Sequence, residues 1–175
     1  MKRKQGFAIW ITGLPASGKS SITRELVRKL NERGVMPAVL GSDELRSILT
    51  PEPTYSTEER DRFYLQMARI GELLSRNRIP VIFDATANRR EYRNHARSRI
   101  PSFLEILVTC PLEICRKRDP KGIYAAADQG KAISVPGVQT PFEPPLEADV
   151  IVDGRDAPRT SAEAILHRLI EHGYV

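Results

Sequence analysis

The chain has 175 residues, 41% of them hydrophobic, with 27 Lys and Arg against 22 Asp and Glu for a formal net charge of +5. That length suits one domain over 1–175 with a full core, and no apolar run approaches the ~18 residues that read as a membrane span. The cationic excess, part of it in Lys2, Arg3 and Lys4, fits a pocket for polyanionic nucleotides; without interleaved aromatic residues it does not favour nucleic acid.

FAIWIT reads as a buried strand ending at Thr12, and GLPASGKS follows at once. This GxxxxGKS pattern between a strand and a helix predicts a phosphate cradle made of Gly13, Leu14, Pro15, Ala16, Ser17, Gly18, Lys19, Ser20 and Ser21. Its amides converge on an anion, Lys19 reaches the outer phosphates, and Ser20 offers its hydroxyl to Mg²⁺. The next helix carries Ile22, Leu26, Val27 and Leu30 on one face and stops near Gly34. PAVL predicts a second strand, then SDELRSIL a short helix capped by Ser42 or Asp43. After Pro51 and Pro53, Ser56 and Glu59 stand at capping-box spacing and open a long helix.

PVIFDATA predicts a third strand ending at Asp84, REYRNHARSRI a helix, and SFLEILVTC a fourth strand. PLEICRKRD predicts a helix with Pro111 in its first turn. No sustained period is visible from Pro120 to Asp149, so the 120–148 segment reads as a lid or acceptor-binding loop. DVIVDG gives a last strand and SAEAILHRLIEHG a closing amphipathic helix. Strands alternating with helices predict an α/β fold, a three-layer arrangement with a mainly parallel sheet covered on both faces, and ligands at the carboxyl ends of its strands.

At that edge the residues fit phosphoryl transfer, which needs a phosphate cradle, a metal, cations and a group to orient the acceptor. Ser20 with Asp84 suits Mg²⁺. Asp43 is placed to orient or deprotonate an acceptor hydroxyl and Arg46 to bind its anionic group, the alternatives being a helix cap and a solvated surface residue. Arg116, Arg118 and Lys121 crowd the entrance to the lid, where the alternative is a charged helix face. His95, His167, His172 and Trp10 read as structural. Cys110 and Cys115 form no metal or redox pattern and read as reduced thiols, and MKRK precedes too short an apolar stretch for a secretory signal, so a cytoplasmic protein is expected.

Across most of its length the chain resembles the adenylylsulfate kinase family, phosphate-loop kinases that phosphorylate the ribose 3′-hydroxyl of adenosine 5′-phosphosulfate with MgATP. The resemblance rests on IWITGLPASGKSS, SDELR against DGDNxR, RIGELL, PLEICRKRDPKGIYAAADQGK and PFEPP. It implies Asp43 as acceptor-orienting acid, Arg46, Arg69 and Lys121 as acceptor ligands, Arg116 and Arg118 on the nucleotide, and Tyr55 as an adenine-stacking ring. Departures cluster on the acceptor side. Gly41 replaces the first Asp of DGD, Phe63 and Gln66 fall where an Arg and an Asn are usual, with Arg62 a substitute after a one-residue shift, Val135 replaces the second stacking aromatic, and Ala87 replaces a serine. FDATANRR is similar to another branch of phosphate-loop kinases. Adenylylsulfate is the favoured acceptor; another small anionic acceptor, a polynucleotide end, or a regulatory module that only binds nucleotide are the alternatives, and a homodimer is left open.

Overall fold

The computed structural model describes residues 6–175; Lys2, Arg3 and Lys4 lie outside the described residues. Five strands form one sheet in the order β2-β3-β1-β4-β5, every pair parallel. They are β1 (Ala8–Thr12), β2 (Ala38–Gly41), β3 (Val81–Asp84), β4 (Phe103–Thr109) and β5 (Val150–Asp153). The helices are α1 (Lys19–Asn31), α2 (Ser42–Leu49), α3 (Thr57–Arg76), α4 (Arg90–Arg97), α5 (Leu112–Arg118), α6 (Ile123–Asp128) and α7 (Pro158–Glu171).

β1 is central and buried throughout, and its side chains alternate between two cores. Ile9 and Ile11 join Ile22, Leu26 and Leu30 of α1 and Ile165 and Leu169 of α7. Ala8 and Trp10 join Phe63 and Met67 of α3 and Tyr92 of α4 on the other face. Trp10 is fully buried, stacks on Phe83 at 4.5 Å between centroids and donates its indole N–H to the Ala85 carbonyl. α3 lies so close to the sheet that a Cβ on Gly71 would stand 2.1 Å from the Phe83 ring. Helices on both faces satisfy a sheet whose strands are apolar on both sides.

Three local expectations differ from the structure. α2 is capped by the extended Gly41, not by Ser42 or Asp43, which both fall inside the helix, and no side chain bonds its first amides. Pro111 sits one residue before α5, as its cap. The 120–148 segment is not free of regular structure: it holds α6, entered through left-handed Gly122, with Tyr124 buried and its hydroxyl donating to the Pro15 carbonyl. The six residues of Ile123–Asp128 are too few to display a period. Val135 closes a small core with Tyr124 and Cys115 against Leu14 and Ala16, so the segment is packed onto the phosphate loop.

Candidate active site

Parallel pairing sets the ends of the strands side by side. Ile11 and Gly41 both pair with Asp84, which places the loops after β1, β2 and β3 at one edge. There a cleft of about 790 Å³ is lined by the phosphate loop, Asp43, Asp84, Arg118 and Lys121, together with Thr86 after β3 and Gly154 and Asp156 after β5.

The loop's shape follows from its residues. Gly18 takes φ 108° before the first turn of α1, a conformation that a Cβ disfavours. Gly154 packs directly against this loop, and a Cβ there would lie 1.9 Å from the Ser17 carbonyl oxygen. Lys19 is buried and donates to the carbonyls of Gly13 (3.1 Å) and Leu14 (2.8 Å). Burial lowers its pKa to about 8, and the nearby Asp84 carboxylate partly offsets this. A buried ammonium short of counter-charge favours an anion beside it, and the amides at the start of α1 face the same way. Ser20 is exposed and lines the cleft with Asp84. Among the described residues there is no cluster of three His, Cys, Asp or Glu side chains fit to hold a metal. One hydroxyl and one carboxylate beside a phosphate cradle fit Mg²⁺, which takes most of its ligands from phosphates and water.

Asp43 and Lys121 form an ion pair with both side chains largely in solvent. An exposed pair of this kind contributes about 0–1 kcal/mol and yields readily to a ligand. Arg118 donates to the Gly154 carbonyl at 2.8 Å, tying α5 to the turn after β5. Arg46 does not line the 790 Å³ cleft; it sits one turn beyond Asp43 with its guanidinium 4.1 Å from the Phe63 ring centroid and 5.4 Å from that of Tyr55. The structure gathers Gly18, Lys19, Ser20, Ser21, Asp43, Asp84, Arg118 and Lys121 in one cleft.

Other expected residues stand apart from it. Arg116 pairs with Asp128 beside Tyr124. Arg62 is exposed on α3, and Arg69, also exposed, pairs with Glu72. Val135 is 4% exposed in the small core of the 120–148 segment. The inward arginine of α3 is Arg60, which sequence reasoning missed. It donates to the carbonyl and hydroxyl of Ser134 (2.8 and 2.7 Å) and lines a second hollow of about 270 Å³ with Asn88, Arg89 and Thr140. Its position just after Glu59 of the capping box was the available signal. Gly154 and Asp156 were also missed, although they follow a strand whose carboxyl end was already expected at the ligand edge.

The adenylylsulphate kinase family description matches residues 5–153. An adenylyl-sulfate kinase of Gloeothece citriformis is 37% identical over 99% of both chains, and one of Rippkaea orientalis is 38% identical over 85% of this chain and 82% of its own. The Mycobacterium tuberculosis APS kinase CysC, solved in complex with AMPPNP and APS, superposes with a TM-score of 0.90 at 30% identity, covering 96% of this chain and 99% of its own. With the phosphate cradle, the acidic residues facing it and these likenesses together, the chain belongs to the adenylylsulfate kinase family.

Proposed function

We propose that this kinase transfers the γ-phosphoryl group of ATP to the 3′-hydroxyl of adenylylsulfate. The observation that carries the reading is the meeting, in one cleft, of a phosphate loop with buried Lys19 and of Asp43. The loop amides and Lys19 hold the β- and γ-phosphates. Ser20 and Asp84 would hold Mg²⁺, which when bound offsets phosphate charge. Asp43, once parted from Lys121, accepts the proton of the attacking hydroxyl; the new O–P bond forms as the bond to the ADP oxygen breaks. Lys121 then faces the developing negative charge. Arg46 binds the acceptor's anionic group, with Tyr55 under its base. Arg118 and the turn at Gly154 border the nucleotide.

No helix among the described residues is long and apolar enough to cross a membrane. Free thiols at Cys110 and Cys115 suit the reducing cytoplasm, where we place the enzyme. Steady-state ADP release tests the acceptor: adenylylsulfate should stimulate it well above the ATP-only rate and above other hydroxylated anions. Stimulation by a different acceptor, with none by adenylylsulfate, would reassign the substrate while leaving the kinase cleft in place.

A further inference from the structure

Glu59 does more than a helix cap requires. In an ordinary capping box the acidic residue at the third helical position returns its carboxylate to the amide of the cap residue. Ser56 caps α3 here, accepting from the Glu59 amide at 3.2 Å. The Glu59 carboxylate reaches further back: it accepts from the Thr54 amide (2.6 Å), the Thr54 hydroxyl (2.8 Å) and the Tyr55 amide (3.2 Å). Those bonds hold the segment where Tyr55 adopts φ 55°, a left-handed conformation that a bulky side chain keeps only when its surroundings impose it.

The same carboxylate faces Arg46, with Oε1 3.6 Å from Nη1, an ion-pair contact too long for a hydrogen bond. Nη1 is buried and has no hydrogen-bond partner among the described residues. The rest of the guanidinium is enclosed by aromatic rings, Phe63 at 4.1 Å, Tyr55 at 5.4 Å and Tyr64 at 5.9 Å from centroid to Cζ. A buried donor left unbonded costs about 1–3 kcal/mol, so its retention points to a ligand that completes it. Backbone bonds from Thr54, foremost, hold the Glu59 carboxyl below the usual range, so it stays charged.

We propose that Glu59 is a positioning residue of the acceptor site, fixing Arg46 and Tyr55 together as a pre-set receptor for an anionic group joined to a planar base. The proposal rests on the acceptor reading above. Phe63 belongs to the same device: its ring lies under the guanidinium and shields one face from water, which strengthens the pull of the open N–H on an anion. Pre-setting matters most for an acceptor pocket with one aromatic ring, because Tyr55 then has to be in place before the base arrives.

The test compares Glu59→Gln, Glu59→Asp and Ser56→Ala by KM for adenylylsulfate, KM for ATP, kcat and Tm. Glu59→Gln keeps the shape and loses the charge, and is expected to raise the adenylylsulfate KM about tenfold with the ATP KM within about twofold. Glu59→Asp keeps the charge one methylene short and should fall between, which also serves if Glu59→Gln does not fold. Ser56→Ala loses the helix cap alone, so it should lower Tm with the acceptor KM unchanged. Unchanged acceptor KM in a folded Glu59 variant, with Tm falling as in Ser56→Ala, would make the carboxylate a cap only and overturn the proposal. A wild-type enzyme that gives no transfer to adenylylsulfate would overturn the acceptor reading itself, and this proposal with it.

Discussion

Lys19 and Asp43 face one cleft, yet the chain holds them by different means. Around Lys19 the holding is mostly backbone and burial: carbonyls of Gly13 and Leu14, a Gly154 that tolerates no side chain, and Tyr124 bonded to the Pro15 carbonyl. Around Asp43 the holding is done by exposed side chains that pair with one another, Asp43 with Lys121. A donor common to many kinases can be met by a rigid cradle fixed in the fold, whereas an acceptor that differs between kinases is met by side chains that substitution can change without loss of the domain. Of the departures from the family pattern, Gln66 is exposed and Gly41 borders the cleft, whereas Phe63, Ala87 and Val135 are buried, so those three also had to keep the packing around them.

The strongest way to break this contrast is to change one residue from each side. Asp43→Asn should cut kcat by about 10²–10⁴-fold, the usual range for a lost general base, with ATP affinity within about twofold and Tm nearly unchanged because the ion pair is exposed. Equal losses in ATP binding, read by calorimetry, would show that the two walls do not divide the work. Lys19→Ala should instead weaken ATP binding itself and lower kcat/KM for ATP by about 10²–10³-fold, the scale of a lost preorganised charge contact.

Proton linkage sharpens the donor side. Lys19 has a pKa of about 8 in the folded chain against an ordinary 10.5, with burial the main cause. The folded value is the lower one, so the unfolded chain binds the proton more tightly, and the ligand-free protein gains stability as pH rises from about 8 to 10.5. Phosphates beside the amine favour the ammonium and reverse the shift. ATP binding at pH 8.5 should therefore take up about three quarters of a proton, from the ordinary titration curve of a group near 8. Calorimetry in two buffers of different ionisation enthalpy measures it. The uptake should vanish near pH 6.5 and in Lys19→Arg, whose guanidinium stays charged; equal uptake in Lys19→Arg would move the proton to another group.

The donor side was also the more legible one. A strand, GxxxxGKS and a helix are contiguous, so position along the chain is position in space, and Gly13 to Ser21 could be read as a unit. Ser56 likewise announced the start of α3. The proposed acceptor side is assembled from distant segments: Arg60 meets Ser134 across 74 positions, and Asn88 meets Pro141 across 53. No local period encodes such contacts. Glu59 was visible as a capping residue, but its grip on Arg46 depends on how α2 lands against α3, which burial of Leu45 and Phe63 decides. α6 escaped notice because its buried face is one short turn, and the expected order of the lid segment was lower than its packing onto Leu14 and Ala16 allows.

The smallest expected effect separates two neighbouring arginines. Arg60 and Arg62 are two positions apart on α3, and successive even positions of a helix point about 200° apart, so only one of them can face the acceptor segment. That one is Arg60, bonded to Ser134; Arg62 is exposed and borders neither hollow. Arg62→Ala should leave the acceptor KM within about twofold and stability within about 0.5 kcal/mol, as for surface substitutions in general. Arg60→Ala removes two bonds to the lid segment and should raise the acceptor KM several-fold more than Arg62→Ala does, by about 1 kcal/mol of lost positioning. If Arg62→Ala proved the more damaging, α3 would have to turn on its axis when the acceptor binds. The side chains of Phe63 and Tyr64 would then leave the core they share with Trp10, a cost that makes the turn a poor explanation unless Trp10 fluorescence changes on acceptor binding.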